Sequence, residues 1–564
     1  MSVLRRARCA AALTLLAVCL SPLTAAPATA AVGDPSYAGC IAGTPITGCT
    51  TAGPGLFAVD VELSPDGKQL YVLGREPSLR IYDLAASGPM VPRSGGGSCF
   101  NTDGANGCTA TAGFTDFDVL DLAVSADGKS VYVSGFSNLV SWTRDPSTGN
   151  LTPSACYGPG AGCSGAFPRA AAVYAVVVSP DSKNVYVRQA GGLLVYDRNP
   201  TTGALTLKPG ASGCLSELAV AGCTDSFGLT GNGFEMSLPA DGQYLYLTFQ
   251  DPGGVSVFNR AGDGTLTRYA GTNGGCISSD GSSTSAGECS SVGDSSGQAI
   301  TNAWAATLSP SGKHVFVSGS VGTTVFARDA VTGKLTKTDC ISPDVSSDCQ
   351  QVSASDGMGV EVTPDGTRAI VGSNGVAGVG VYAFDEAAGT LSRLAGALGC
   401  FSATQQTGCT DLPGTFGGDG KAAISADGRN VYFAALTPVH RLVFDRVVKI
   451  VIRGQVVSLG RDARARVKLS CPATEQSGPC SGRLTLKTRG KVLFGGKRVV
   501  VKLASATYRV PAGTTKTVRL SLGQARIALV RRVPDARKLK VVATVKDTIG
   551  NTARVTKLAT LRLP

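Results

Sequence analysis

The chain has 564 residues, of which 43% are hydrophobic and 16% charged, and its formal net charge is +12. This much apolar content with so few charges excludes a disordered chain. A single hydrophobic core rarely exceeds about 250–300 residues, so the length predicts several domains or a repeat array. The chain has only two histidines, which excludes zinc sites built from several histidines.

The first 31 residues have the layout of a secretory signal peptide. Three arginines precede an apolar run from Ala10 to Leu20, and small residues follow as far as Ala30. We expect cleavage after Ala30 or Ala31 and a mature chain outside the cell. Cys19 leaves open the alternative of a lipid anchor. No later stretch reaches the roughly 18 consecutive apolar residues of a transmembrane helix.

Seven copies of one short pattern organise residues 32–445. Each copy is an apolar run that ends in a turn of the Ser-Pro-Asp-Gly-Lys type, and the turns begin at Ser64, Ser125, Ser179, Pro239, Ser309, Thr363 and Ser425. A second strand follows, and then a third that ends in an aromatic residue. In five copies a Gly-containing turn and a leucine open a fourth strand. Four antiparallel strands repeated seven times predict an all-β, seven-bladed β-propeller.

A loop rich in Gly, Ser and Thr lies between two cysteines after each fourth strand. The pairs are Cys40 and Cys49, Cys99 and Cys108, Cys156 and Cys163, Cys214 and Cys223, Cys276 and Cys289, Cys340 and Cys349, and Cys400 and Cys409. Because neighbouring partners close short loops, we predict one local disulfide in each loop, formed in an oxidising compartment. Cys471 and Cys480 form an eighth local pair.

The seventh copy lacks the turn that opens a fourth strand, and the chain runs from Phe444 into a different pattern. The missing outer strand of the last blade should therefore come from the start of the mature chain, around Asp34 to Gly39. Pairing of the two ends would close the ring and leave no free sheet edge.

Residues 446–564 form alternating strands rich in Val, Leu, Lys and Arg, and they predict a small antiparallel β-sandwich. They hold 27 Lys and Arg against four acidic residues, a balance of +23. This charge predicts salt-sensitive attachment to anionic wall polymers, while nucleic acid is not the favoured partner. The alternative is a solvated sandwich whose outward positions happen to be basic. The ending "KDTIGNTARVTKLATLRL" resembles the last hairpin of bacterial immunoglobulin-like extracellular modules.

Acidic residues recur in two columns when the inner strands are superposed on their turns. The columns contain Asp60, Asp121, Glu235 and Lys421, and, two residues further on, Glu62 and Glu361. Inner strands line the channel of a propeller, so these six side chains should gather near its mouth on the side of the Cys loops. Carboxylates there suit Ca²⁺ or a cationic solute, and no other cofactor is expected. The alternative is a water-filled channel that simply tolerates polar residues.

The two histidines do not extend this set. His314 follows the turn of the fifth copy, and His440 begins the third strand of the last blade. Neither has a partner at the spacing of a catalytic motif, so a structural role is favoured for both and no catalytic residue is assigned.

The blade pattern "SPDGK…VYV…VYDRNPTTGALT" resembles bacterial YVTN-type and 6-phosphogluconolactonase-like seven-bladed propellers, over roughly residues 35–445. The variant with Cys loops resembles secreted propellers of high-GC bacteria. The resemblance implies the fold and, as one activity of such propellers, lactone hydrolysis by His, Glu and Arg at the channel mouth. No histidine of this chain matches that position.

We therefore expect a secreted binding or surface-interaction protein that uses the face of the propeller carrying the Cys loops. Binding residues favour variable loops on a rigid scaffold, and these loops vary while the blade strands repeat. The expected partner is an extracellular protein, a glycan or a cell-wall polymer, and a monomer is expected. The alternative is a lactonase-like hydrolase that acts at the channel mouth.

Overall fold

The computed structural model describes residues 35–52, 56–85, 88–95, 97–114, 119–160, 162–164, 167–168, 172–269, 275–283, 287–292, 300–343, 349–352, 357–373, 378–414, 421–435, 437–444, 450–471, 479–511, 513–546 and 552–564. The predicted signal segment, with Cys19, lies outside the described residues. No helix within these ranges is long and apolar enough to cross a membrane.

Seven separate sheets, one for each copy of the pattern, build residues 35–444. The chain begins with β1 (Pro35–Ala42) and β2 (Thr50–Thr51), which belong to the seventh sheet. Blade 1 contains β3 (Ala58–Leu63), β4 (Gln69–Gly74), β5 (Ser78–Leu84), β6 (Met90–Pro92), β7 (Cys99–Asn101) and β8 (Thr109–Ala110). Blade 2 contains β9 (Val119–Val124), β10 (Ser130–Gly135), β11 (Leu139–Arg144) and β12 (Leu151–Tyr157). Blade 3 contains β13 (Val173–Val178), β14 (Asn184–Gln189), β15 (Gly192–Arg198), β16 (Leu205–Leu207), β17 (Cys214–Ser216) and β18 (Thr224–Asp225).

The remaining four blades follow the same order. Blade 4 contains β19 (Met236–Ser237), β20 (Tyr244–Phe249), β21 (Gly254–Arg260), β22 (Leu266–Arg268), β23 (Cys276–Ser278) and β24 (Ser290–Ser291). Blade 5 contains β25 (Ala303–Leu308), β26 (His314–Gly319), β27 (Gly322–Arg328), β28 (Leu335–Ser342) and β29 (Gln350–Gln351). Blade 6 contains β30 (Gly357–Val362), β31 (Arg368–Ser373), β32 (Gly378–Asp385), β33 (Thr390–Arg393), β34 (Cys400–Ser402) and β35 (Thr410–Asp411). Blade 7 contains β36 (Ala422–Ile424), β37 (Asn430–Ala434) and β38 (Val439–Phe444).

The predicted seven-bladed propeller is thus confirmed, with one change in the outer strands. In blades 1, 3, 4 and 6 the outer strand is broken into two pieces that pair with opposite ends of the third strand, as β6 and β7 do with β5. In blades 3 and 6 a short 3₁₀ turn causes the break. Gly210 and Gly396 open these turns at positive φ (58° and 61°), where glycine is favoured.

The predicted local disulfides of the Cys loops are present in all seven blades, with Cα atoms 4.5–4.8 Å apart. The bonds join Cys40 with Cys49, Cys99 with Cys108, Cys156 with Cys163, Cys214 with Cys223, Cys276 with Cys289, Cys340 with Cys349, and Cys400 with Cys409. The eighth predicted bond, between Cys471 and Cys480, is also present. The local pairing that the spacing predicts is therefore confirmed for every pair.

A short parallel ladder closes most of the Cys loops a second time. Just beyond the loop, the chain pairs in parallel with the strand that began it, as β8 does with β7 through Phe100 and Thr109. The same ladder follows the loops that end at Cys49, Cys223, Cys289, Cys349 and Cys409. After Cys163 it shrinks to a single bridge between Tyr157 and Ser164. Each loop is therefore held at its base by a covalent bond and by backbone pairing.

Ring closure follows the prediction. Strand β1 pairs antiparallel with β38, from Pro35 opposite Phe444 to Ile41 opposite Val439. The closing strand extends past Gly39 to Ala42, and Asp34 lies outside the described residues. The last blade thus takes its outer strand from the other end of the propeller sequence.

The hydrophobic core of the propeller lies between the blades. Seven clusters of buried residues each combine side chains from two neighbouring blades, including one cluster shared by blades 7 and 1. One example packs Leu73 and Ile81 of blade 1 against Val133 and Trp142 of blade 2. Successive side chains of a strand point to opposite faces, and apolar residues occur on both, so each blade can pack against both of its neighbours.

A buried arginine reinforces four of the seven interfaces between blades. It ends the third strand of one blade, and it donates to a tyrosine and to the turn aspartate of the preceding blade. We call this arrangement the arginine clamp. The four clamps are Arg144 with Tyr71 and Asp66, Arg198 with Tyr132 and Asp127, Arg260 with Tyr186 and Asp181, and Arg328 with Tyr246 and Asp241. Their Nε–Oη distances are 2.7–3.1 Å.

Residues 450–564 build another sheet with its own core. The elements are β39 (Val451–Leu459), β40 (Arg464–Ser470), β41 (Cys480–Thr488), β42 (Val492–Phe494), β43 (Lys497–Val499), β44 (Lys502–Val510), β45 (Thr515–Ser521), α1 (Gln524–Arg532), β46 (Lys538–Lys546) and β47 (Thr552–Arg562). Seven strands pair in the order β44-β41-β46-β47-β39-β40-β45 around one hydrophobic cluster.

This second sheet departs from the purely antiparallel pattern that the sequence predicts. The pair β39–β47 is parallel, because the last strand returns beside the first one in the same direction. Helix α1 was not predicted. Its sequence contains three arginines and buries only Leu529 and Val530, too little apolar surface for a clear helical pattern.

Candidate functional site

The inner strands bring all six predicted site residues to one cavity of about 290 Å³. Its polar lining consists of Asp60, Glu62, Asp121, Glu235, Glu361 and Lys421. Side chains two apart on a strand point to the same side, which places Asp60 and Glu62 together. Valine, leucine, isoleucine and methionine side chains complete the wall, so the carboxyl groups lie in a partly apolar channel.

Two of the carboxylates connect neighbouring blades. Asp60 accepts hydrogen bonds from the Val61 amide (2.8 Å) and from the Leu122 amide of the next blade (2.9 Å). Asp121 accepts from the Val176 amide of the blade after that (2.8 Å). The inner strands of blades 1, 2 and 3 are therefore joined by side chains as well as by packing. The sequence pattern did not indicate this role, because it depends on the register between different blades.

Lys421 of blade 7 forms ion pairs with the same two carboxylates. Its Nζ donates to Asp60 Oδ2 at 3.4 Å and to Asp121 Oδ1, and its side chain is only 11% exposed. Burial opposes the positive charge, but the carboxylates of Asp121 and Asp60 outweigh it and raise the pKa of Lys421. Burial also raises the pKa of Asp60, and Lys421 counteracts that rise.

The other three carboxyl groups have no ion pair with a described residue. Burial raises the pKa of Glu235 and Glu361, and it raises the pKa of Glu62 to about 8 with the help of the Asp121 charge. Thr307 donates a hydrogen bond to Glu235 at 2.9 Å. No described residue donates one to Glu62 or Glu361. These two groups are therefore available to a ligand.

Glu62 and Glu361 also border a second cavity of about 340 Å³, which reaches the turn at Ser64–Gly67. That turn lies at the end of the inner strand opposite to the Cys loop. The acidic set therefore extends along the channel instead of lying only at the mouth on the Cys-loop side.

Calcium does not fit between Asp60 and Asp121. The ammonium group of Lys421 already occupies the position of a cation between Asp60 and Asp121. In the part of the chain that the structure describes, no group of three or more His, Cys, Asp or Glu side chains could hold a metal ion.

Three aromatic residues precede the first acidic column in consecutive blades, and the sequence pattern had not singled them out. Tyr174 and Trp304 lie at bulges that start the inner strands of blades 3 and 5, and Phe234 precedes that of blade 4. Phe234 packs edge-on against Tyr174 with centroids 5.4 Å apart, and its amide donates to the Trp304 carbonyl. The ring of Phe136, which is exposed, also lies edge-on to that of Tyr174, with centroids 6.3 Å apart. We call these four residues the aromatic arc.

Superposition of the inner strands would have found three members of the arc, Tyr174, Phe234 and Trp304, one residue ahead of the acidic column. A bulge turns a side chain away from the regular alternation of a strand, and bulges are frequent next to binding sites. The arc therefore lies toward the Cys-loop end of the channel.

The two histidines lie away from both cavities. His314 is buried edge-on against Phe384 at 5.4 Å, and burial lowers its pKa. His440 is fully buried and stacks on Phe433 at 5.0 Å, and burial lowers its pKa to about 3. Both environments suit a packing role.

No protein-family model matches this chain, and no curated protein does. Similar solved structures include the periplasmic gluconolactonase of Pseudomonas aeruginosa, with 17% identity over 62% of this chain and 86% of that chain and a TM-score of 0.44. A putative 6-phosphogluconolactonase from Bacteroides fragilis has 17% identity over 69% and 98%, with a TM-score of 0.44. Another from Bacteroides uniformis has 16% identity over 66% and 89%, with a TM-score of 0.41. Similarity at this level does not transfer an activity.

Proposed function

We propose that this chain is a secreted binding protein that takes an organic cation into the mouth of the propeller channel, on the Cys-loop face. The observation that carries the proposal is a cavity lined by carboxyl groups without an ion-pair partner among the described residues, one of which, Glu235, directly follows Phe234 of the aromatic arc. Aromatic faces attract cations, and carboxylates supply the opposite charge. Among the residues that the structure describes, Lys421 is the one cation that lines the cavity, and it is already bound to Asp60 and Asp121.

The Cys loops support this choice of face. Seven short loops, each closed by a disulfide, surround the entrance and vary in sequence while the blades repeat. Leu218, in the loop between Cys214 and Cys223, is 62% exposed and could contact an extracellular protein or glycan. Loops restrained before binding lose less conformational entropy when a partner docks.

Secretion and attachment complete the proposal. We propose that residues 1–31 are a signal peptide, and that eight disulfides form in an oxidising compartment. Residues 32–445 would act as the binding unit, and residues 446–564 as a separate immunoglobulin-like module that attaches to anionic surface material through its charge of +23.

Calorimetric titration of the whole protein with choline, putrescine and spermidine tests the channel site. We expect binding that weakens at least about tenfold in Trp304→Ala and in Glu361→Gln. Glu76→Gln removes an exposed carboxylate outside the channel and should bind like the wild type. Absence of heat with all three amines, or equal weakening in Glu76→Gln, would contradict the proposal.

The alternative function is a lactonase-like hydrolase, and one observation favours it. A carboxyl group with a pKa of about 8, like that of Glu62, is typical of a catalytic acid or base. Hydrolysis of glucono-δ-lactone by the whole protein, lost in Glu62→Gln and kept in Glu76→Gln, would establish this alternative. We expect no rate above the buffer.

A further inference from the structure

A short hairpin in the C-terminal sheet stands apart from the other strands. Strands β42 and β43 pair only with each other, with Leu493 opposite Arg498 and Phe494 opposite Lys497. The two-residue turn between them is Gly495-Gly496, with φ of 60° and 78°. Positive φ at both positions is the requirement of the tightest hairpin turn, so the tip is short and well defined.

The base of this hairpin is fixed to the sheet. The amide of Val501 donates to Thr488 Oγ1 at 3.0 Å, and the amide of Thr488 donates to the Val501 carbonyl at 3.0 Å. Val492 is buried, and Phe494 packs against the hydrophobic cluster of the sheet. One face of the hairpin is thereby fixed on the core, while the other face is directed outward.

The outward side carries Leu493 and, beyond Arg498, Val500, while Val499 lies opposite Val492 on the other face. Leu493 is 63% exposed, Val500 is 49% exposed and Val499 is 39% exposed. Isolated exposed hydrophobic residues are ordinary, but Leu493 and Val500 form a patch on one small element. The patch therefore suggests a binding surface.

Basic residues surround the patch. Residues 487–502 include Lys487, Arg489, Lys491, Lys497, Arg498 and Lys502, and they include no acidic residue. Hydrogen bonds to the backbone bring two more cations close to this segment. Arg526 Nε donates to the Lys502 carbonyl, and the Arg489 amide donates to the Lys538 carbonyl, both at 2.7 Å. Of these eight cations, only Lys538 has an ion pair within the described residues.

We infer that this basic hairpin docks on the surface of an anionic lipid bilayer. Leu493 and Val500 would enter the interface, and the surrounding cations would contact the headgroups. Exposed apolar side chains among Lys and Arg are complementary to a surface that offers both hydrocarbon and negative charge. A wall polymer or a nucleic acid would use the charge but would gain nothing from the exposed leucine and valines.

The inference deepens the proposed attachment of the C-terminal module and rests on it. It names the contact segment and commits to lipid as the partner. Attachment through charge alone would still be possible without the hairpin, so the two ideas must be tested separately.

Co-sedimentation of the whole protein with vesicles provides the test. We expect binding to vesicles of phosphatidylglycerol and phosphatidylcholine, weaker binding at high salt, and no binding to phosphatidylcholine alone. Leu493→Ser should weaken binding about tenfold, because it removes apolar area and no charge. The matched control is Val456→Ser, which changes a 56% exposed valine on β39, and it should bind like the wild type.

Two further measurements make each outcome decisive. In Leu493→Trp, indole fluorescence should shift to shorter wavelength when anionic vesicles are added, and an unchanged spectrum would overturn the inference. Binding to insoluble anionic wall material should not change in Leu493→Ser. If the wild type and Leu493→Ser sediment equally with vesicles, the hairpin inference is wrong while attachment by charge survives. If the protein binds neither vesicles nor wall material, both proposals fail.

Discussion

The ring of Phe384 meets that of Phe316 edge-on, with centroids 5.1 Å apart, at the interface between blades 5 and 6. Phe384 occupies the position that the clamp arginine has in other blades. Its amide donates to the Thr367 carbonyl, just as the amide of Arg328 donates to the Lys313 carbonyl. Phe316 replaces the clamp tyrosine, and Ser311 replaces the aspartate. All three positions have therefore changed together from a polar clamp to an aromatic contact.

The clamps should contribute strongly to the stability of the propeller. The guanidinium of Arg198 is fully buried, and it donates to Tyr132 and Asp127. Arg198→Ala removes the buried ion pair with Asp127 and the hydrogen bond to Tyr132, and we expect a loss of about 3 kcal/mol in the free energy of unfolding, measured by urea titration. Lys183→Ala, an exposed change near the same turn, should cost less than about 0.5 kcal/mol. Equal losses would show that the clamp is dispensable.

The aromatic interface should be convertible into a clamp. Phe384→Arg alone places an arginine without an acidic partner in a 5% exposed position, and we expect a loss of about 3 kcal/mol. Phe316→Tyr and Ser311→Asp together supply the missing partners, so the triple variant should recover at least half of that loss. Melting temperatures of the single, double and triple variants measure the coupling. Additive effects would contradict the proposed equivalence of the three positions.

Lys421 should stabilise the channel in a manner that depends on pH. Lys421→Met removes the cation that opposes the rise in the pKa of Asp60. A carboxyl group whose folded pKa is raised stabilises the fold at low pH, and this contribution is lost as the pH increases. The variant should therefore lose about 3 kcal/mol near pH 8 and clearly less near pH 5. Lys68→Met, at a 64% exposed side chain, is the control. A loss independent of pH would be the contrary result.

His440 should weaken ring closure in acid. Burial lowers its pKa from 6.5 to about 3, so between these values the unfolded chain binds a proton that the folded chain excludes. Stability must then fall as the pH falls through this window, by at most about 1.4 kcal/mol per pH unit. His440→Phe keeps an aromatic ring and should show a shallower pH dependence of unfolding. His314 is present in both proteins, so its effect cancels. Identical slopes would argue against this role.

The repeating parts of the structure could be predicted from sequence because each blade carries its own signals. The Asp-Gly turns located the hairpins, the cysteines located the loops, and the missing turn after Phe444 indicated closure by the first strand. Superposition of the turns also grouped Asp60 with Glu361, although 301 residues separate them.

Contacts between blades were harder to predict, because they depend on how separate sheets are stacked. Nothing near Asp60 in the sequence indicates that its carboxylate accepts the Leu122 amide, or that Lys421 forms an ion pair with it. The parallel pairing of β47 with β39 had the same difficulty, since both strands read as ordinary alternating segments. Local patterns specify elements, and long-range register decides their partners.

The position of β1 also constrains how the molecule can be made. Ser36 donates a hydrogen bond to the carbonyl of Val443, 407 residues later. Strand β1 is therefore synthesised first, and it cannot pair with β38 until six blades and most of the seventh have been synthesised. Such distant pairing is slow, and the waiting edge is open to wrong partners. Nicking the chain after Ala42 in the finished protein would not by itself free this strand, because the Cys40–Cys49 disulfide spans the cut; reduction of that one bond would then release the ring at a single place.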